Sequence, residues 1–390
     1  VGAAEGGIVR LAPGGDASPL ALRLVLRHGG RRLEPRVETA RGVASGPVRA
    51  EATCEGRLAG TLRFRLRLSY WPSASLVRVR LTLHNPRRAR HRGGLWDLGD
   101  PGSFLFDALD LELVADRLRS VSHRLDPNSP WRRSELPVHL YQDSSGGERW
   151  NSRSHVNARG EVPCRLRGYE LQEGGRRATG LRASPTARFE AGGAHWTSTV
   201  PEFWQKFPKG LRIGDTGVTW ELFPDSWNDR FELQGGERTT HDLWLTLGED
   251  AAAGEETLSW VHRPPGVAPE PEWVRRCRVL PWLDLDGEHW DPRLEELLAS
   301  KLVGERSFEA LREEVDEYGW RNYGELWADH EQRYYEGSER PVISHYNNQY
   351  DVLFGFLVQL LRTGDARWLD LAHPLARHVM DIDLYHADDD

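Results

Sequence analysis

The chain is 390 residues long, 39% hydrophobic and 28% charged, which allows a sizeable core and two or three domains. A formal charge of −8 argues against nucleic acid as a partner, because neutralising phosphates takes a basic surface. No stretch of 18 apolar residues occurs, so no helix crossing a membrane is expected.

From residue 8 to about residue 248 the pattern is that of β-structure. Residues 61–69 alternate apolar side chains with Arg at period two, as a half-buried antiparallel strand does. Residues 76–83 repeat the pattern. The run Tyr70-Trp71-Pro72-Ser73-Ala74-Ser75 between them supplies turn chemistry, so a hairpin is predicted. Further strands are predicted at 21–28, 108–114, 136–142, 195–200, 217–223, 229–234 and 238–247. The pairs Gly192-Gly193 and Gly235-Gly236 fall between these runs, where turns belong. One or two antiparallel β-domains, of sandwich or barrel type, are expected.

Residues 262–272 include Pro264, Pro265, Pro269 and Pro271, which cannot continue a central strand or a helix interior; this is the predicted linker. Beyond it the period changes. Asp291-Pro292 opens a helix with an Asp cap and Pro at the first helical position, and residues 307–318 form a second, charged helix. Residues 350–362 place Val352, Leu353, Phe356, Leu357, Leu360 and Leu361 on one stripe. Gly364 stops that helix and Asp365 caps the next, so the two make an αα-hairpin. Asp381, Asp383, His386 and residues 388–390 lack the Gly and terminal Glu of an EF-hand loop, and a solvated acidic helix end is expected.

Lys occurs only at Lys206, Lys209 and Lys301; the other cations are Arg, the side chain best suited to gripping carboxylates, though compositional bias gives the same count. Cys54, Cys164 and Cys277 have neither zinc nor disulfide spacing. Sixteen Trp serve either as core or as stacking platforms for sugar rings. The chain starts without Met and both ends read as cuts, so a leader could have been lost and a secreted or periplasmic location is expected.

Four blocks carry a resemblance. They are Tyr141-Gln142-Asp143-Ser144-Ser145-Gly146-Gly147-Glu148-Arg149-Trp150, then Phe203-Trp204-Gln205-Lys206-Phe207-Pro208-Lys209 with Glu221-Leu222-Phe223-Pro224. Tyr318-Gly319-Trp320-Arg321-Asn322-Tyr323-Gly324-Glu325 and Ser344-His345-Tyr346-Asn347-Asn348-Gln349-Tyr350-Asp351 complete the set. Together they resemble the YetA-like family, which includes exo-acting rhamnogalacturonan lyases and is related to ulvan lyases. The resemblance implies an N-terminal antiparallel β-domain over 1–110, a central β-sandwich over 111–261 and, after the linker, the start of a truncated α/α toroid over 273–390. It implies a polysaccharide lyase acting on an acidic polysaccharide or oligosaccharide, without choosing between rhamnogalacturonan and ulvan.

Removing the proton α to a uronate carboxylate requires a neutraliser for the carboxylate, a base for the proton and an acid for the departing oxygen. The run His345, Tyr346, Asn347, Asn348 and Tyr350 holds these side-chain types. His345 or Tyr350 is expected as base or acid, with Asn347 and Asn348 on the carboxylate; the alternative is a helix start capped by Ser344 or Asn348, with Tyr350 packed inside. Arg321 could bind a sugar carboxylate beside Trp320 and Asn322, or pair internally with Glu325 or Asp329. Trp150, Arg153 and His155 on the loop 143–155 are candidate sugar contacts, or parts of a solvated hairpin with a packed Trp. Residues 203–209 are expected to be packing. No cofactor is called for, and calcium as a helper stays open. A glycoside hydrolase using Glu325, Asp329 or Asp351, and a non-catalytic carbohydrate-binding protein, are the alternatives.

Overall fold

The computed structural model describes residues 8–12, 18–90, 98–248, 258–278, 280, 291–326 and 350–388. In chain order the strands are β1 (Ile8–Leu11), β2 (Leu20–His28), β3 (Arg31–Leu33), β4 (Arg36–Ser45), β5 (Ala50–Ala59), β6 (Leu62–Trp71) and β7 (Leu76–His84). They continue as β8 (Phe104–Phe106), β9 (Ala108–Val114), β10 (Arg119–Arg124), β11 (Arg132–Arg133), β12 (Val138–Gln142), β13 (Tyr169–Glu173) and β14 (Arg176–Gly180). The last are β15 (Thr186–Ala191), β16 (Ala194–Thr199), β17 (Lys209–Ile213), β18 (Gly217–Phe223), β19 (Phe231–Leu233) and β20 (Arg238–Gly248).

Two large antiparallel sheets result. The first runs β1-β2-β9-β18-β17-β12-β13-β14 with β3 on β2; the second runs β11-β10-β15-β16-β20-β7-β6-β5-β4. Alternation decides which faces meet. Leu109, Leu111 and Leu113 of β9 point inward from the first sheet, and Leu62, Phe64, Leu66 and Leu68 of β6 from the second; all are buried in one core. The Trp220 indole donates to Ser198 Oγ at 3.2 Å and ties β18 to β16 across that core.

The predicted hairpin is β6–β7, closed by a 3₁₀ turn at Pro72–Ala74 with Ser75 left-handed. The expected division at residue 110 is corrected: it falls inside β9, which pairs with β2 on one side and β18 on the other. Strands from both sides of that position also meet where β7 pairs with β20. The described residues between 8 and 248 therefore share one sandwich, because each large sheet interleaves strands from both sides of that position.

Helices follow the strands. After the turn at Ser259–His262 the proline-rich stretch carries no strand, and α1 (Pro271–Cys277) begins on its last proline. Asp291 caps α2 (Pro292–Ser300) by accepting from Arg293 N, and Ser307 caps α3 (Phe308–Val315) by accepting from Ala310 N. Gly364, with φ 67°, closes α4 (Val352–Thr363) before α5 (Arg367–His378), as the periodicity predicts. Phe356 and Leu360 of α4 bury against Trp368, Leu371 and Leu375 of α5 in a second core. These five helices do not close a ring.

The expected solvated acidic end is corrected as well. From Val379 the chain turns back onto the second sheet. Asp381 is buried and accepts from both Thr240 N and Thr240 Oγ1 at 2.9 Å, while His386 N donates to the Gly236 carbonyl at 2.9 Å. Replacing Asp381 by Ala strands two buried donors, and a loss of about 1–3 kcal/mol is expected in urea denaturation; an unchanged midpoint would mean the contact contributes nothing.

Candidate functional site

Three of the four recognisable blocks converge where the helical segment meets the sandwich. The loop after β12 turns sharply at Gly146, whose φ is 75° and where an added Cβ would stand 2.2 Å from the Leu181 carbonyl, so only glycine fits. This brings Ser145 and His155 to one side. Asp316, the left-handed cap of α3, enters between them: it accepts from Ser145 Oγ at 2.5 Å and from His155 Nε2 at 2.7 Å. Asp316 is fully buried, and hydrogen bonds from both neighbours replace the water its carboxylate lost.

Around this centre, Ser154 Oγ donates to the Val315 carbonyl at 2.8 Å and Asn322 Nδ2 to the Ser154 carbonyl at 3.0 Å. Gly319 N and Trp320 N donate to the carbonyls of Gln205 and Phe207 at 2.7 and 2.9 Å. The Arg182 guanidinium grips Glu313 at 2.7 and 2.8 Å and lies over the Trp204 ring. Phe203 and Phe207 are buried here, the packing role expected of their block.

The predicted site residues therefore separate. Arg321 pairs with Glu237 of the sandwich and donates to the Glu232 carbonyl; Asp329 lies outside the described residues. Trp320 packs edge-on to Phe223 at 5.1 Å, while Asn322 and the His155 side chain are enclosed in the junction. Each was a candidate sugar contact with an internal alternative, and each has an internal partner here. Trp150 is half-buried and Arg153 exposed, so both remain at the surface. Tyr350 is 76% exposed just before α4. His345, Tyr346, Asn347 and Asn348 lie outside the described residues.

A second cluster escaped the sequence reading. On the outer face of the first sheet, Asp110 of β9 stands directly opposite Glu221 of β18, and His139 of β12 opposite Arg212 of β17. Glu221 lies over Gly210, where a Cβ would collide with its carboxylate, and meets Arg212 at 2.8 Å and His139 Nε2 at 3.1 Å. Arg27 and Arg212 share Asp225 above them. Asp110 is 2% exposed, its Oδ1 has no hydrogen-bond partner, and Arg27 approaches its other oxygen only to 3.7 Å. Burial, with the neighbouring Glu221 charge, pushes the Asp110 carboxyl up to about 7. Such a group exchanges protons near neutrality. The available signal was a charge inside an apolar strand, Asp110 in β9 and Glu221 in β18, and pairing alone shows that the charges meet.

Among the described residues no group of three His, Cys, Asp or Glu side chains is arranged to hold a metal. No helix of the described residues is long and apolar enough to cross a membrane. No family model and no curated protein matches the chain. Solved structures with some likeness include a TPR-domain containing protein from Parabacteroides distasonis, at 8% identity and TM-score 0.31, over 59% of this chain and 38% of that one. Another is the GH36 alpha-galactosidase AgaA from Geobacillus stearothermophilus, at 9% identity and TM-score 0.34, over 59% and 32%. A third is a GalM/aldose epimerase homologue from C. elegans, at 9% identity and TM-score 0.23, over 57% and 78%. The chain spans about a third of the length of the first two. At such identities and scores these likenesses carry no functional weight.

Two outcomes are expected. Asp316→Ala leaves Ser145 and His155 buried without their acceptor, costing about 1–3 kcal/mol, with faster amide exchange at Gly319 and Trp320; unaltered exchange there would show that the junction does not hang on Asp316. The Asp110 carboxyl stabilises the fold below its ordinary value of 3.8, and that contribution is lost as the pH rises to about 7. Asp110→Asn should therefore flatten the fall in melting temperature between those limits and raise it at pH 8. A pH slope identical to the parent's assigns it elsewhere.

Proposed function

We propose that this chain is part of an enzyme that cleaves an acidic, uronate-containing polysaccharide, of the rhamnogalacturonan or ulvan kind, by β-elimination. The order of sandwich, proline-rich connection and helices supports the reading, and so does the family resemblance of the four blocks. One observation carries it: Tyr350, at the end of the His345-to-Tyr350 run, presents its phenol to solvent at the entrance to α4. A packed Tyr350 would have removed the base-or-acid role from that run.

In this reading His345 or Tyr350 takes the proton from the carbon bearing the carboxylate, and the other returns one to the departing oxygen. The carbon–oxygen bond breaks and a double bond forms beside the carboxylate. Asn347 and Asn348 hold the carboxylate as negative charge builds on it. Trp150 and Arg153 stay available on the sandwich surface as sugar contacts. The toroid belongs to this proposal, with α4 and α5 as one of its hairpins.

The alternative is a two-carboxylate glycoside hydrolase using Glu325, Asp329 or Asp351. The two are separated by product. Elimination leaves an unsaturated uronate that absorbs in the ultraviolet, and hydrolysis leaves none. Turnover of rhamnogalacturonan or ulvan with rising absorbance is expected, and Tyr350→Phe should lower kcat about 10²–10⁴-fold at an unchanged melting temperature. Cleavage without absorbance, or a fully active Tyr350→Phe, overturns the lyase reading.

A further inference from the structure

We propose that the outer face of the second sheet, along β6 and β7, is a binding surface for a carboxylated polysaccharide. The choice of ligand rests on the substrate class proposed above; the surface itself rests on the following geometry.

Arg63, Arg65 and Arg67 project from alternate positions of β6 with 41%, 55% and 46% of each side chain exposed. Arg67 stands directly opposite Arg80 of β7, and Arg78 lies two residues away on the same face. Like charges set directly opposite destabilise a strand pair. Arg65 faces Glu55 of β5 and Arg80 faces Asp242 of β20, but Arg67 stands between Arg80 and the uncharged Thr53. Among the described residues, the ion-pair partners of Arg49, Arg65, Arg67, Arg78 and Arg80 are Glu51, Glu55 and Asp242. A cationic surplus thus collects on one face of a chain whose formal charge is −8.

The same strand ends in aromatic side chains. Trp71 stacks on Trp244 at 5.7 Å, Arg78 covers Trp244 at 5.1 Å, and Trp260, 36% exposed, meets Trp244 edge-on. From Arg63 to Trp71 the strand rises about 27 Å at ~3.4 Å per residue, room for several sugar units. Guanidinium forks match carboxylates and an exposed indole matches a sugar ring, so together they fit a uronate chain.

The molecule also displays the contact in miniature. Both terminal nitrogens of Arg63 donate to the carboxylate of Asp388, on the segment that returns after α5. Arg65 and Arg67 offer the same fork further along the strand.

The test is affinity electrophoresis and calorimetry with polygalacturonate at physiological salt, using the full chain and the double variant Arg65→Gln, Arg67→Gln. Both side chains are exposed, so folding should survive, which circular dichroism checks. The expected result is binding to polygalacturonate but not to dextran, weakened at least tenfold (about 1.4 kcal/mol) in the double variant. Turnover of an oligosaccharide too short to span the face should stay unchanged. Equal affinity of parent and variant overturns the surface and leaves the lyase reading standing. Retention by DNA or anionic vesicles without retention by polygalacturonate overturns the chosen ligand. Failure of the parent to turn over any uronate oligosaccharide while the Arg-dependent binding persists overturns the lyase reading and leaves the surface.

Discussion

A carboxylate with no water around it holds the two halves of this molecule together. Asp316 sits at the end of α3 in a left-handed conformation that aims its side chain into the sandwich, where Ser145 and His155 donate to it. A buried charge left unpaired is costly, so the partners must be in place whenever the halves are docked. That requirement propagates. It fixes the glycine turn at Gly146 and sets the register in which Gly319 and Trp320 bond to the chain at Gln205 and Phe207. The helices are thereby positioned from the sandwich outward.

Much of the fold was legible because alternation is a local signal. Strands β6, β7 and β9 keep strict inward and outward positions, and the αα-hairpin announces itself through Gly364 and one apolar stripe. Strand β4 gave no such signal, since nearly all of it is exposed at a sheet edge. The division at residue 110 misled for a different reason. Sheet partners lie far apart in sequence, and no local pattern says that β7 pairs with β20.

The site was less legible than the fold. Arg321 looked free to meet a ligand because its partner, Glu237, is 84 residues away. His155, Trp320 and Asn322 were singled out for their chemistry, and that same chemistry makes good mortar between packed surfaces. Asp110 was overlooked because a lone Asp in a strand is ordinary until Glu221 is set beside it. Tyr350 is exposed, and His345, Tyr346, Asn347 and Asn348 lie outside the described residues. The two outer sheet faces also differ in kind. One buries a carboxylate pair beneath arginines, and the other spreads arginines over too few carboxylates.

The return of the chain to the second sheet at Asp381 has a mechanical consequence. The helical half leaves the sandwich after Val261 and comes back about 120 residues later, so it is tethered at both ends like a handle. A handle cannot swing as a flap does. Rupture at one foot leaves the other attached, the closed loop holds the detached foot near its seat, and reattachment stays quick. Partial opening is then a local and reversible event, and undocking of the whole half requires the Asp316 junction and the Asp381 contact to fail together.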